Sequence, residues 1–115
     1  MKIWKDFVFE AAHRLPMVPV GHKCAGIHGH SWCCKLVVEG PVNEIGWVQD
    51  FADIKAAFQP LYDQMDHHYL NDFIDNPTSE NVARWVWNNL KSKLPMLSMV
   101  GIQETCSCGV EYSGD

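Results

Sequence analysis

The chain lacks most of what would direct a protein to a membrane, a secretory route or a nucleic acid. No apolar run approaches the roughly 20 residues that a membrane-spanning helix needs. The N-terminus has no charged segment followed by an apolar core, so secretion is not expected and the cytoplasm is the expected location. Basic residues are scarce and scattered: 9 Lys and Arg against 14 Asp and Glu leave a formal charge of −5. Such a balance favours neither nucleic acid nor an anionic membrane, while leaving room for one local cationic pocket for a small anion. The five cysteines, Cys24, Cys33, Cys34, Cys106 and Cys108, are an odd number. Without a secretory signal they suit reduced thiols better than a disulfide framework. Repeats, low-complexity tracts and linkers are absent, and 115 residues are expected to form one domain, residues 1–115. A chain of this size can bury its own core, although an enzyme so small often completes its pocket by self-association.

What is present in excess is histidine in one place. Gly21–His30 packs three His, one Cys and three Gly into ten residues. His28 and His30 are two apart, which puts both imidazoles on one face of an extended segment, where they can reach one ion together. His13 ends the strand-like run Phe7–His13 and supplies a third ligand if that run lies beside His28 and His30 in an antiparallel sheet. Three neutral imidazoles and one open position describe a catalytic zinc site.

The flanking chain reads as scaffold. Lys2–His13 alternates as a strand should, with Ile3, Phe7, Phe9 and Ala11 on the His13 side and Trp4, Val8 and Ala12 on the other. Pro16, Pro19, Gly21 and Gly26 break regular structure, so the Cys24 loop hangs between two strands, the second running from about His30 to Val38 and stopping at Gly40-Pro41. Asp50 caps a helix carrying Phe51, Ile54, Phe58, Leu61 and Met65 at helical spacing, with a kink or break expected near Ala56–Gln59 because Pro60 removes a backbone donor. Asp66–Asp72 follows as a polar exit segment. Pro77-Thr78-Ser79-Glu80 opens a second helix bearing Val82, Trp85, Val86 and Leu90, which Pro95 ends. Met96–Cys106 and Val110–Tyr112 form two more strands around a turn at Ser107-Cys108-Gly109. The order ββααββ gives an antiparallel four-stranded sheet with two helices on one face, an α+β domain. Its other face has too little chain left to cover it, which points to oligomerisation.

Three further places invite chemistry. Cys24, beside Lys23 in a glycine-bounded loop, is a thiol that a nearby cation or imidazole can activate. Read instead as a fourth ligand, it would close the coordination sphere and leave the metal no reactive position. Asp66-His67 sets a carboxylate beside an imidazole whose tautomer it could hold, although a solvated helix end has the same composition. Glu104 shares the strand parity of Val100 and Ile102, an acid where the pattern asks for an apolar side chain. It needs a partner, either a Lys or Arg nearby or a heterocycle edge with two adjacent N–H donors. Cys33 and Cys34 read as mid-strand packing, and Cys106-x-Cys108 lacks the partners for a second metal site.

Phe9-Glu10-Ala11-Ala12-His13-Arg14-Leu15, Cys24-x-x-x-His28-Gly29-His30, Asp66-His67-His68-Tyr69-Leu70-Asn71, Asn76-Pro77-Thr78-Ser79-Glu80 and Glu104-Thr105 together resemble the 6-pyruvoyl-tetrahydropterin synthase superfamily. Within it they look like the bacterial 6-carboxy-tetrahydropterin synthases of queuosine biosynthesis, because three residues separate the Cys from His-Gly-His. The resemblance implies Zn2+ on His13, His28 and His30, a catalytic set of Cys24, Asp66 and His67, and Glu104 anchoring the pterin. It implies the tunnelling fold, in which sheets of three subunits join into a barrel and two such rings stack into a homohexamer with active sites at subunit interfaces. The implied substrate is 7,8-dihydroneopterin triphosphate, with acetaldehyde and triphosphate released. A pyruvoyl-type or other pterin enzyme, and a non-enzymatic zinc- or pterin-binding module, are the alternatives. Arg14, His22 and Lys23 are the cationic candidates for the triphosphate.

Overall fold

The computed structural model describes residues 1–115. Two twelve-residue strands, β1 (Lys2–His13) and β2 (His28–Glu39), pair antiparallel from Lys2↔Glu39 to His13↔His28. Residues directly opposite share a face, so Phe7 with Cys34, Phe9 with Trp32, Ala11 with His30 and His13 with His28 line one side of this ribbon. Val8 with Cys33, Glu10 with Ser31 and Ala12 with Gly29 line the other.

The first side receives the helices. Helix α1 (Phe51–Met65) starts where Asp50 accepts a hydrogen bond from the Ala52 N–H at 2.9 Å, and buries Ile54, Phe58, Leu61 and Met65. The expected break does not occur: α1 runs through Pro60 to Met65. Pro60 and Ala56, whose carbonyl loses its donor, both lie on the exposed face, where water can replace the missing bond, and buried Phe58 and Leu61 clamp the helix on either side. Phe51, expected on the buried stripe, is half exposed.

The segment expected as a polar exit adds a strand. β3 (His68–Tyr69) lies parallel to Ala11-Ala12 of β1, so the sheet is mixed and five-stranded, not antiparallel and four-stranded, while the α+β architecture stands. A two-residue strand has no periodicity to read. It forms because Leu70 is fully buried just beyond it and because the Tyr62 hydroxyl donates to the Val8 carbonyl at 2.9 Å, holding the end of α1 against β1.

Helix α2 (Ser79–Leu90) is capped by Thr78, whose hydroxyl accepts from the Asn81 N–H at 3.1 Å, and buries Val82, Ala83, Val86 and Leu90, with Trp85 only partly covered. Lys91 caps the end of α2 and reaches beyond it. Its ammonium donates to the Pro95 and Leu97 carbonyls, steering the chain into β4 (Leu97–Thr105). β4 pairs with β2, and β5 (Cys108–Tyr112) pairs with β4 around a turn at Cys106-Ser107, giving the order β3-β1-β2-β4-β5. Gly109 stands opposite Gln103, where an added Cβ would lie 2.7 Å from the Ile102 carbonyl oxygen. Gly109→Ala is therefore expected to lower stability by about 1–3 kcal/mol through overpacking, read as a fall in thermal midpoint.

The core joins Trp32, Phe9, Leu36, Val100 and Ile102 of the sheet to both helices. The opposite sheet face stays open, with Trp4 54% and Val8 59% exposed. No helix is long and apolar enough to cross a membrane.

Candidate functional site

At the end of the β1–β2 ribbon the core face changes from apolar to imidazole. His13, 1% exposed, closes β1, and His28 and His30 open β2, with the three rings packed edge-on at centroid distances of 4.5–5.3 Å. Trp32 forms the floor beneath His13 and His30, its indole N–H donating to the Ala11 carbonyl at 3.1 Å. His13 Nδ1 lies 2.7 Å from the Pro77 carbonyl and His28 Nδ1 2.8 Å from the Gly26 carbonyl. A carbonyl only accepts, so each ring carries a proton on Nδ1, the tautomer that in a neutral imidazole leaves Nε2 as the acceptor.

Glu104 meets them from β4. Gln103 pairs with Gly109 and Thr105 with Cys108, so Glu104 is the extra residue of a β-bulge, a device that re-aims a side chain. Its Oε1 lies 2.8 Å from His30 Nε2 and 3.2 Å from His13 Nε2, and Ser79 Oγ donates to its Oε2 at 3.0 Å. Of the two kinds of partner weighed for Glu104, a Lys or Arg is not paired with it here. Although both imidazole nitrogens are close to the carboxylate, neither buried Nε2 has a directed hydrogen bond. Burial holds the His13 imidazole below its ordinary value of 6.5, against the opposing pull of the Pro77 carbonyl and Glu104. A neutral His13 Nε2 and a carboxylate oxygen are two acceptors facing each other, an arrangement that a cation between them relieves. Donor atoms of His13, His28, His30 and Glu104 lie within 4.8 Å of one another and could hold a metal ion.

Cys24 is partly buried and lines a cavity of about 420 Å³ with Lys23, His28, His30, Glu104 and Thr105. Its loop is held by the Leu15 N–H, which donates to the Cys24 carbonyl at 2.9 Å, and by the Cys24 N–H, which donates to His22 Nδ1 at 3.0 Å. Lys23 is the one of the three cationic candidates that lines this cavity, whereas Arg14 Nε points at the Ala25 carbonyl 3.5 Å away.

Asp66 and His67 are brought elsewhere. Asp66 Oδ1 accepts from the Glu10 N–H at 2.9 Å, the His67 N–H donates to the Glu10 carbonyl at 2.6 Å, and His67 Nδ1 stands 3.0 Å from Asp66 Oδ2. His67 has φ 59° and a side chain 78% exposed. A left-handed backbone at a residue other than glycine is uncommon and marks a conformation that its surroundings impose. His67 opens onto a second cavity, of about 480 Å³, at the edge of β1, whose lining includes Glu10, Gly29, His30 and Ser31. Neither Asp66 nor His67 lines the Cys24 cavity of its own chain.

The Glu10 N–H, followed by His67, holds the Asp66 carboxyl below its ordinary value of 3.8. A lowered carboxyl contributes stability above its ordinary value, lost as pH falls through the folded value. Asp66→Asn is expected to flatten the acid side of a stability-against-pH curve below about pH 4, measured by denaturant unfolding between pH 2 and 7.

Reading the sequence missed three contributors: Ser79 and the Pro77 carbonyl, seen only as parts of a helix start, and Asn71. The Asn71 side chain accepts from the Arg14 N–H and donates to the Arg14 carbonyl, both at 2.9 Å, fixing the chain just past His13. Asn71 lies in the Asp66–Asn71 run, but nothing in the sequence tells which backbone it would meet.

Fold and site together define an α+β protein with a cluster of three histidines and a glutamate, able to hold a metal ion, at the end of a mixed sheet. Residues 2–115 match the 6-pyruvoyl tetrahydropterin synthase family, and the chain belongs to it. It is 39% identical to the 6-carboxy-5,6,7,8-tetrahydropterin synthase of Synechocystis sp., over 96% of this chain and 91% of that protein. It is 33% identical to the dihydroneopterin monophosphate aldolase of Pyrococcus furiosus, over 90% and 89%. The solved structure of Caenorhabditis elegans 6-pyruvoyl tetrahydropterin synthase superposes with a TM-score of 0.91 at 30% identity, covering 100% of this chain and 96% of that one. The protein is a pterin enzyme of this family, and Cys24, Asp66, His67, Glu104 and the three histidines occupy the positions just described.

Proposed function

We propose that the chain is a zinc-dependent 6-carboxy-5,6,7,8-tetrahydropterin synthase, acting in the cytoplasm on 7,8-dihydroneopterin triphosphate and releasing acetaldehyde and triphosphate on the route to queuosine. The observation that carries the reading is that His28, His30 and Glu104, which share a donor cluster with His13, line one cavity with Cys24. The donor set suits zinc, which takes imidazole and carboxylate ligands. When bound, zinc would supply Lewis-acid polarisation of the substrate's side-chain hydroxyls.

The chain's own residues supply the rest. Cys24, with Lys23 beside it, would take and return the side-chain proton as a thiolate. Glu104 would hold the ring through its paired N–H groups, which match a carboxylate in bidentate fashion. His67, with Asp66 at its Nδ1, would relay protons at the far end of the substrate. Because neither residue lines the Cys24 cavity of its own chain, the pair would serve the site of a second subunit. The exposed Trp4 and Val8 would then be covered in a barrel of sheets, within a hexamer whose sites lie at subunit interfaces.

The aldolase relative supports a second reading, carbon–carbon cleavage of a dihydroneopterin monophosphate. Product analysis separates the two. Dihydroneopterin triphosphate is expected to give acetaldehyde and a 6-carboxypterin product, with activity lost to a chelator and restored by zinc. Consumption of the monophosphate without acetaldehyde would establish the aldolase reading instead, and no turnover of either substrate would remove both.

A further inference from the structure

We propose that Glu104 is a ligand that the substrate displaces: its Oε1 is the fourth donor to the cation held by His13, His28 and His30 at rest, and it leaves that position when a pterin binds. The inference deepens the proposed function and rests on its assignment of Glu104 to the pterin ring.

An anchor for two adjacent N–H groups needs both carboxylate oxygens free and facing the ligand. In this structure Oε1 faces the histidines instead, and one acceptor position of Oε2 is taken. Oε1 stands 2.8 Å and 3.2 Å from two imidazole nitrogens, and Oε2 accepts from Ser79 at 3.0 Å. The bulge at Glu104 aims the side chain at the histidines, and a carboxylate 24% exposed beside two buried, unpartnered Nε2 atoms belongs to the same donor cluster. A three-histidine, one-carboxylate set fills four positions, the number a closed zinc site uses. The site is therefore closed until the pterin's N–H pair competes for the same carboxylate. The fourth position then opens only when there is a substrate to occupy it. Ser79, at the first turn of α2 and 9% exposed, is the positioning residue: by holding Oε2 it keeps Oε1 on the cation.

The test uses metal binding, not turnover, as its readout. The protein is loaded with Co2+ for its visible spectrum and, separately, with Zn2+ for competition against a chromophoric chelator. In the wild-type protein, an oxidised, unreactive pterin such as neopterin is expected to shift the cobalt bands, because one donor leaves. Glu104→Gln is expected to show altered bands without any pterin and no further shift on its addition. It should also hold zinc at least 10-fold more weakly. Ser79→Ala, which keeps every proposed ligand, is expected to weaken zinc retention in the same direction, within the 10–100-fold range typical of lost supporting contacts. A Glu104→Gln protein with wild-type cobalt bands and zinc affinity overturns the proposal, as does a wild-type spectrum that saturating neopterin leaves unchanged. These outcomes are independent of the acetaldehyde assay. Acetaldehyde release with an unaltered Glu104→Gln metal site removes the displaced-ligand inference and leaves the proposed function. An altered metal site without acetaldehyde does the reverse.

Discussion

Cys24→Ala protein is expected to fold, assemble and keep its metal while turning over about 10²–10⁴-fold more slowly, the usual cost of losing a proton-transfer group. The separation follows from where the thiol sits. It lines the cavity shared by Lys23, His28, His30 and Glu104, but it is not among the four donors that converge within 4.8 Å. The short turn that carries it is held by backbone groups, which alanine retains. Loss of zinc and of thermal stability together with activity would instead make Cys24 a structural ligand. Iodoacetamide supplies a second reading. Cys34 is fully buried, which pushes its thiol far up, and burial with Asp6 nearby raises Cys33 as well, so both should react slowly. Cys106 and Cys108 are exposed and should react whether or not substrate is present. Only Cys24 should be shielded by a bound pterin, and turnover of Cys24→Ala near the wild-type rate would end its assignment as the catalytic thiol.

His13→Ala and His28→Ala are expected to lose metal alike and to differ in everything else. His13 is 1% exposed, packs edge-on against Trp32 and donates from Nδ1 to the Pro77 carbonyl. Its removal empties a place in the core and strips a buried carbonyl of its donor, costing roughly 2–4 kcal/mol even without metal. For a chain of this size that is roughly 4 °C of thermal midpoint per kcal/mol. His28 sits at the loop end of β2, and its Nδ1 reaches only the Gly26 carbonyl two residues away in an exposed turn, so His28→Ala should change metal-free stability by less than about 1 kcal/mol. Calorimetry of both variants with and without zinc checks this. Equal midpoints without metal would mean that His13 is not the structural member of the set.

The site was legible in the sequence to the extent that it is local. His28 and His30 share a face because side chains alternate in any extended segment. Asp50 and Thr78 act as caps because each offers an oxygen to a backbone N–H two or three residues on, a geometry indifferent to the rest of the fold. Glu104 was conspicuous because it broke an apolar parity. Its partners were not legible, since a β-bulge and the start of α2 bring His13, His30 and Ser79 to it from 74 to 91 residues and from 25 residues away in the chain. Pro60 misled for a related reason: its local penalty is real, but burial of Phe58 and Leu61 on either side outweighs it.

By itself the sequence determined the types and order of the main elements, the three-histidine motif and the unusual acid in β4, all consequences of periodicity, capping and residue chemistry within a few positions. Tertiary structure alone decided what these parts do to one another. It added β3 to the edge of β1 at His68-Tyr69, because only a docked α1 carries the chain back to that edge. It set Asp66 and His67 beside the Glu10 backbone at the edge of β1, outside the Cys24 cavity. It also placed Glu104 between His13 and His30 with Ser79 at its other oxygen. Those relations depend on register, on a bulge and on which helix end meets which strand, and none of these is written in a short stretch of residues because each is settled by contacts made across the whole chain.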